Sequence, residues 1–278
     1  MRRPRPGTPW DLALQAHLRA KARRQGAVRR IGPFEAAVDL SDANPFRNSA
    51  VPDDAARPRN GDIRRLVAEY LAADRTPRLE YFPGAAPAVA PRLLRRGFVV
   101  ERRPVVLVRT PGPRLALPLG PGLAVRQVQG TADLADALGV AHAAFGEPPP
   151  DAEDTERLRR HLAAGGAAVV ACDLASGMVV GSARCEPPDA GMTEIAGVAV
   201  RASHRRRGVG AALASALAEL VIGRAADAVW LTPEHPGTRT VYERAGFVAV
   251  TESLHLRHGP HGAEGSGHED VTFMRAPQ

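Results

Sequence analysis

Residues with the potential for chemistry are concentrated between Glu194 and Phe247. At the centre of this segment, an R-x-x-G-x-G run is formed by Arg205, Arg206, Arg207, Gly208, Val209 and Gly210. Glycine adopts positive φ without a steric penalty and lets a ligand approach the backbone closely. Where a helix begins in such a run, its first N–H groups have no intrahelical partner and lie at the positive end of the helix dipole. The run therefore predicts a binding site for an anion such as a pyrophosphate.

Two elements must position this run. Residues 195–200, upstream, are small or β-branched, which is typical of a buried strand. Residues 211–223, downstream, are predicted to form an amphipathic helix, because apolar side chains recur there at intervals of three and four. These side chains are Leu213, Leu217, Leu220 and Val221. The run is thus expected to join a strand to a helix.

The segment 193–247 resembles the Gcn5-related N-acetyltransferase (GNAT) superfamily. Its R-x-x-G-x-G run is similar to the loop with which that family holds the pyrophosphate of acetyl-CoA. Residues 242–247, Tyr-Glu-Arg-Ala-Gly-Phe, match the family's Y-x-x-x-G-F. The two motifs stand in the family's order, separated by a helix and by a predicted strand at 228–232. The resemblance implies acetyl-CoA as cosubstrate and transfer of its acetyl group to an amine.

By this resemblance, the coenzyme contacts fall on the strand and on the loop. The strand contacts are Val198, Ala199 and Val200. Backbone groups of Val198 and Val200 would pair with the pantetheine arm, and the Val198 N–H would polarise the thioester carbonyl. The loop contacts are Arg205, Arg206, Arg207, Gly208, Val209, Gly210 and Ala211.

The resemblance also implies two catalytic residues. Glu194 lies fourteen residues before Gly208, a spacing like that of the general base in histone-type members. It would deprotonate the acceptor ammonium through one or more waters. Tyr242 stands where the family places a tyrosine near the coenzyme sulfur, and it would protonate the departing thiolate. The structural alternatives are a strand-end ion-pair partner for Glu194 and a core-packing tyrosine for Tyr242.

The sequence departs from the family at one position. The family often has an asparagine seven residues before the tyrosine, in contact with the pantetheine. Here that position is His235, followed by Pro236. We expect His235 to lie beside the coenzyme in place of the asparagine, and its use as an alternative base stays open.

Neither a metal site nor a cysteine nucleophile is expected. His255, His258 and His261, with His268 further on, are spaced by three on a glycine- and proline-containing loop, which fits neither one helix face nor a common zinc pattern. Cys185 lies on a predicted strand without a paired histidine motif, as a small buried residue would. Two cysteines are too few for a disulfide framework and favour a cytoplasmic location.

Composition and charge limit the other classes of function. A chain of 278 residues, 44% of them hydrophobic, can form one large or two ordinary domains. No apolar run predicts a membrane span or a secretory signal. The first 118 residues hold 23 of the 37 basic and 11 of the 30 acidic residues, which gives +12 there and −5 in the remainder. Lys21 is the only lysine, and no nucleic-acid-binding motif accompanies the charge, so we expect a solvated arginine-rich surface and no nucleic-acid partner.

A segment rich in proline and glycine, 109–122, divides the chain into a first domain at 1–118 and a second at 119–278. From residue 122 onward, the predicted order β-α-α-β-β-β-α-β-α-β-β is the full GNAT order, with 247–257 and 271–275 finishing the sheet. The expected fold class is α/β (α+β): a mixed, mostly antiparallel sheet flanked by helices, preceded by a smaller degenerate GNAT-like domain.

The first domain contains a faint copy of the second. Three of its segments correspond in sequence and order to three segments of the second domain: 79–83 to 229–233, 93–98 to 242–247, and 99–108 to 248–257. Residues 62–71 precede them, as the helix 211–223 precedes the segments of the second domain. The copy lacks an R-x-x-G-x-G run, and Leu93 stands where Tyr242 does, so we do not expect it to bind acetyl-CoA productively. The alternative is a chance similarity of two strand–helix–strand units.

The leading hypothesis is an acetyl-CoA-dependent N-acetyltransferase acting on a primary amine, with the first domain forming part of the acceptor pocket and a homodimer left open. The alternative is a non-catalytic acyl-CoA-binding or regulatory protein. A third hypothesis, nucleic-acid binding by the basic first part, predicts an affinity that falls steeply with salt. The acceptor stays open among aminoglycosides, polyamines, amino acids, peptide N-termini and protein lysines.

Overall fold

The computed structural model describes residues 9–259 apart from 41, 43, 114 and 116. The helices of this part are Pro9–Gln25 (α1), Asn60–Ala72 (α2), Val89–Leu94 (α3), Gly130–Phe145 (α4), Ala152–Ala163 (α5), Val209–Val221 (α6) and Arg239–Arg244 (α7). The strands are Val28–Ile31 (β1), Phe34–Ala37 (β2), Ala50–Pro52 (β3), Arg78–Tyr81 (β4), Phe98–Arg102 (β5), Val105–Arg109 (β6), Leu123–Gln127 (β7), Ala167–Asp173 (β8), Val179–Cys185 (β9), Met192–Val200 (β10), Ala228–Leu231 (β11), Val248–Glu252 (β12) and Leu254–His258 (β13). The predicted strand at 271–275, His261 and His268 lie outside the described residues.

The strands form two mixed sheets. The first has the order β1-β2-β3-β4-β13-β5, and the second has the order β12-β6-β11-β10-β9-β8-β7. Neighbouring strands are antiparallel except for one pair in each sheet, β3 with β4 and β10 with β11. Each parallel pair is joined through a helix of 13 residues, α2 or α6. The expected fold class, a mostly antiparallel sheet flanked by helices after a smaller related unit, is confirmed.

The two halves of the chain exchange one strand each. Strand β6 lies between β12 and β11 in the second sheet, and β13 lies between β4 and β5 in the first. The prediction that 247–257 would finish the second sheet is therefore wrong beyond residue 252. Both crossings occur at short breaks, Arg103–Pro104 and Ser253, and the Ser253 N–H donates to the Pro104 carbonyl at 3.1 Å. Proline has no N–H to continue a ladder, which favours a break there.

The internal repeat predicted from the sequence has a structural counterpart. In each half a strand leads to a helix of six residues, α3 or α7, and then to a glycine and a further strand. Gly97 and Gly246, which follow these helices, both have positive φ, +85° and +83°. The similarity also extends upstream to the parallel pairs and their crossover helices, which the sequence comparison matched only in part.

Helix α1 packs where the two halves meet. Its buried Leu14 and Leu18 lie in one apolar cluster with Phe82 of the first half and with Met192 and Trp230 of the second. Burying a leucine side chain stabilises a fold by roughly 1.5–3 kcal/mol, so α1 fastens the halves together. None of the described helices is long and apolar enough to cross a membrane.

Candidate active site

Strands β10 and β11 separate at the centre of the second sheet. They pair in parallel only from Met192 to Glu194, opposite Ala228 to Trp230. From residue 195 to 200, the ladder of β10 is with β9 on its other side. The β11-facing edge of this stretch is therefore open to an extended ligand, which could hydrogen-bond to it as an added strand would.

A β-bulge lies within this open stretch. Ala196 pairs with Arg184 and Ala199 pairs with Ser182, so Gly197 and Val198 together face one residue of β9. Gly197 has φ +62°, which a glycine adopts without a steric penalty. A bulge of this kind re-aims backbone groups, and it falls on Val198, for which the sequence predicted a role at the thioester.

The three predicted strand contacts have different surroundings. Val198 and Val200 are half-buried beside the core under α6. Ala199 is 2% exposed and packs against α4. Its side chain therefore points away from α6, and its backbone pairs with Ser182 of β9. The predicted contact of Ala199 with the coenzyme stays a prediction.

The glycine run leads into the N-terminus of α6, as predicted. Arg206 has φ +61° and Gly208, the N-cap residue, has φ +80°. Left-handed backbone at a non-glycine residue such as Arg206 costs energy and is concentrated at functional sites. The first helical bond runs from the Ala212 N–H to the Gly208 carbonyl at 3.0 Å. The N–H groups of Val209, Gly210 and Ala211 precede it and have no partner within the helix.

The linker covers one side of this loop, a role that the sequence did not predict. The Gly120 N–H donates to the Arg207 carbonyl at 3.0 Å, and the Arg207 guanidinium donates to the Pro121 carbonyl at 3.1 Å. Arg205 and Arg206 are exposed, and the Arg205 Nε donates to the Val200 carbonyl at 3.3 Å.

Tyr242 lies on α7, half-buried and edge-on to Phe247 with ring centroids 6.4 Å apart. It packs against the apolar cluster under α6. Burial, and to a lesser extent the nearby Glu234 carboxylate, raise the pKa of Tyr242 to about 12. The phenol is therefore protonated at neutral pH, as a proton donor must be.

His235 lies at the start of the turn before α7. Its side chain is exposed, and its carbonyl accepts hydrogen bonds from the Thr238 N–H at 3.0 Å and the Thr238 hydroxyl at 2.8 Å. The carbonyl thus fixes the turn that leads to Tyr242. The predicted contact of His235 with the coenzyme stays a prediction.

Glu194 lies at the last paired position before β10 and β11 separate, and its carboxylate is paired. The Lys21 ammonium, on α1, donates to the Glu194 Oε2 at 2.6 Å, and the two side chains are 19% and 17% exposed. Burial raises the pKa of Glu194 above its usual value, and the Lys21 charge opposes that rise. The sequence singled out Glu194 but not Lys21; the only available signal was a single lysine among 37 basic residues.

Glu194 and Tyr242 lie toward opposite faces of the second sheet. Ile195, the neighbour of Glu194, packs into the cluster under α6, which Tyr242 also contacts. Since side chains alternate along a strand, Glu194 points to the other face, toward α1. The gap between β10 and β11 lies in the plane of the sheet, so it is bordered by Glu194 on one face and by Tyr242 on the other.

The other candidate residues pack against neighbouring side chains of the fold. Cys185 is fully buried, and burial raises the pKa of its thiol, which makes it a poor nucleophile. His255 lies beside Glu80, with 3.7 Å between Nε2 and Oε1, and His258 packs edge-on against Phe98. Among the described residues, no three histidine, cysteine, aspartate or glutamate side chains form a group that could hold a metal ion.

Comparisons with known proteins agree with this fold. The model of the acetyltransferase (GNAT) family matches residues 135–247. A search of curated proteins gave no significant match. Among solved structures, the chain is similar to a GCN5-related N-acetyltransferase from Kribbella flavida, with a TM-score of 0.74, 22% identity, and coverage of 90% of this chain and 96% of that one.

Two further structures share the fold over most of the chain. A GCN5-related N-acetyltransferase from Sphaerobacter thermophilus has a TM-score of 0.62 and 17% identity, covering 92% of this chain and 94% of that one. A tandem GNAT protein from the clavulanic acid biosynthesis pathway has a TM-score of 0.56 and 16% identity, covering 93% and 98%. At these identities the similarity establishes the fold, and the family model adds the sequence evidence. The second half of this chain therefore carries a domain of the GNAT acetyltransferase family, matched over residues 135–247.

Proposed function

We propose that the protein is an acetyl-CoA-dependent N-acetyltransferase that transfers the acetyl group directly to a primary amine. The observation that carries this proposal is the opening between β10 and β11, which has a bulge on one edge and the glycine loop of α6 beyond it. An extended pantetheine arm fits such an edge, and free N–H groups at a helix N-terminus fit a pyrophosphate. Val198, Val200 and residues 205–211 would hold the coenzyme.

The reaction requires an amine without its proton, a polarised thioester and a proton for the thiolate. Glu194 takes the proton from the acceptor ammonium on the α1 side of the sheet, through water. The amine nitrogen then attacks the thioester carbonyl, whose oxygen accepts a hydrogen bond from the Val198 N–H. As the carbon–sulfur bond breaks, Tyr242 donates its phenol proton to the sulfur from the α6 side. The new amide nitrogen releases its surplus proton to water, and water restores the proton of the phenol.

The two halves of the chain have different roles in this proposal. We propose that residues 119–278 bind the coenzyme and carry the reaction, and that 1–118 supply one wall of the acceptor pocket through α1. The support for this assignment is that α1 packs on β10 and that its Lys21 reaches Glu194. The acceptor is a primary amine whose further identity is left open.

One observation favours the alternative, a non-catalytic acyl-CoA-binding protein. The candidate base is already engaged by an internal ammonium, since Lys21 is 2.6 Å from Glu194. An enzyme must keep Glu194 able to accept a proton in spite of that partner. The two functions share the coenzyme site and differ in turnover.

Gly210 provides the test of the coenzyme site. A Cβ at Gly210 would have as its nearest neighbour the Val241 Cγ1 at 3.7 Å, an ordinary contact. Gly210→Ala should therefore fold normally, and Gly210→Asp should too, because a carboxylate is favourable in the first turn of a helix. The aspartate would repel a pyrophosphate at the same place.

Titration calorimetry with acetyl-CoA should give micromolar binding for the wild type that Gly210→Asp abolishes and Gly210→Ala weakens less. Thiol release against a panel of amines then distinguishes the two functions. Binding with thiol release supports the transferase, and binding without release on any amine supports the non-catalytic protein. Absence of binding to the folded wild type would refute both.

A further inference from the structure

The contact between Lys21 and Glu194 joins the first half of the chain to the candidate base of the second. The two side chains are partly buried and lie 173 residues apart in sequence, and the ammonium is 2.6 Å from Oε2. We propose that Lys21 is a positioning residue of the second half's site, which holds the Glu194 carboxylate ionised and fixed in direction where β10 and β11 separate. This inference rests on the proposed function for its catalytic consequence, while the pairing itself can be tested without turnover.

The ammonium is held by a rigid element. Helix α1 is anchored in the apolar cluster by Leu14 and Leu18, and His17 packs edge-on against Trp230 with ring centroids 5.8 Å apart. Gln15 fastens the helix to the first half, donating to the Pro52 carbonyl at 3.2 Å and accepting from the Phe82 N–H at 3.1 Å. The position of the lysine stem is therefore set by packing on both halves.

The charges around the pair require a cation at this place. Glu186 from the end of β9 and Glu80 from β4 act on Glu194 in addition to Lys21. His17 is fully buried and His255 is half-buried. Desolvation lowers the pKa of both, so both are neutral at pH 7. Arg24, also on α1, lies 3.6 Å from the Glu186 Oε2 and balances that carboxylate. Lys21 is left as the direct counter-charge of Glu194.

Lysine also suits the geometry better than arginine would. An ammonium is a compact point charge on a flexible stem, whereas a guanidinium is a planar fork that prefers to engage both oxygens of a carboxylate. A contact with one oxygen leaves the other Glu194 oxygen available to the acceptor or to a bridging water. Lys21 is the only lysine of the chain, and it occupies this position.

The test follows the titration of Glu194 itself. The full-length protein is labelled with ¹³C at the glutamate carboxyls, and the Glu194 resonance is identified by its loss in Glu194→Gln. In Lys21→Met and the milder Lys21→Gln, the pKa of Glu194 should rise by about 1–3 pH units over the wild type. Lys21→Arg, which keeps the charge, should return it to within about half a unit. An unchanged Glu194 titration in both neutral variants would overturn the proposal.

A double-mutant cycle then connects the pairing with catalysis. With an accepted amine, Lys21→Met should lower kcat/KM at pH 7 about tenfold and move the acidic limb of the pH profile upward, with the affinity for acetyl-CoA unchanged. Combined with Glu194→Gln, the lysine substitution should cost little more than Glu194→Gln alone. Additive losses would show that Lys21 acts independently of Glu194 and would refute the positioning role.

Arg19→Met is the matched control. Arg19 lies on the same helix and pairs with Asp54 of the first half at 2.8 Å. Arg19→Met should leave the Glu194 titration and the pH profile in place, although its more exposed ion pair costs less stability to break than the pair of Lys21 with Glu194. If wild type binds acetyl-CoA but accepts no amine, the proposed function fails, and the carboxyl titration still decides whether Lys21 holds Glu194.

Discussion

Gly208 packs so closely on Pro118 that a side chain at residue 208 would overlap with the proline's carbonyl oxygen. Gly208 also has φ +80°, a conformation that is strained for any residue with a Cβ. The glycine run therefore has two roles: its N–H groups can bind a ligand, and the linker packs against it. The two roles fall on different glycines, since a Cβ at Gly210 would make only an ordinary contact, with the Val241 Cγ1 at 3.7 Å.

We predict that Gly208→Ala and Gly210→Ala will have opposite effects on stability. Gly208→Ala should lower the free energy of unfolding by about 1–3 kcal/mol, because it adds both strain and overlap. Gly210→Ala should be neutral or stabilising by up to about 1 kcal/mol, since alanine is the better helix former. Urea unfolding measures both. Equal stability of the two variants would contradict the packing of the linker on the loop.

Tyr242→Phe removes the candidate proton donor and keeps its packing on Phe247. If the phenol protonates the thiolate, kcat should fall by about 10²-fold while the affinity for acetyl-CoA stays within about twofold. The raised pKa of Tyr242, about 12, means that the wild type should not lose rate through its ionisation below about pH 11. An unchanged kcat in the phenylalanine variant would reduce Tyr242 to a packing role.

His17 should make the stability of the fold depend on pH. Burial, with smaller effects of the Lys21 and Arg24 charges, lowers the pKa of His17 from 6.5 to about 3. Because the folded pKa lies below the unfolded one, the stabilising contribution is complete above pH 6.5 and is lost progressively as the pH falls toward 3. The loss attributable to His17 over this range should reach roughly 4 kcal/mol.

The measurement is the free energy of unfolding of wild type and His17→Leu from pH 7 to pH 4. The slope below pH 6.5 should be shallower in the leucine variant, because one proton fewer is taken up on unfolding. The His17 Nε2 is buried without a hydrogen-bond partner among the described residues. The Asp189 carbonyl, 3.3 Å from the His17 Nδ1, keeps the Met192 N–H as a donor at 2.9 Å in the leucine variant. Parallel curves for the two proteins would disprove a neutral buried His17.

The strand exchange predicts that a substitution near the C-terminus will act on the first half. Leu256 is fully buried on β13 in the core of the first half, whereas Val248 on β12 is 64% exposed. Leu256→Asp should destabilise the protein by at least about 3 kcal/mol, and Val248→Asp should have little effect. Hydrogen exchange in Leu256→Asp should accelerate in β4 and β5 before β8 and β9. Faster hydrogen exchange confined to the second sheet would contradict the position of β13 in the first sheet.

Much of the candidate site could be predicted from short sequence patterns. Glycines at 208 and 210, the three- and four-residue spacing of apolar side chains in α6, and the Y-x-x-x-G-F segment after β11 are patterns within a few residues. They depend on backbone sterics and helix periodicity, which need no distant partner. For the same reason, the strand–helix–strand repeat of the first half could be recognised from the sequence.

The tertiary structure decided which distant segments meet. Strand β13 belongs to the first sheet although it directly follows β12. The apolar pattern of a strand predicts that one face is buried, but it does not determine which of the two cores buries it. The Lys21 pairing with Glu194 joins residues 173 positions apart, and the seat of Gly208 on Pro118 involves a segment that the sequence marked only as a linker. The local sequence determined the glycine run, helix α6 and the tyrosine segment. The packing of the first half against the second determined the ion pair of Glu194 and the contact of the linker with Gly208.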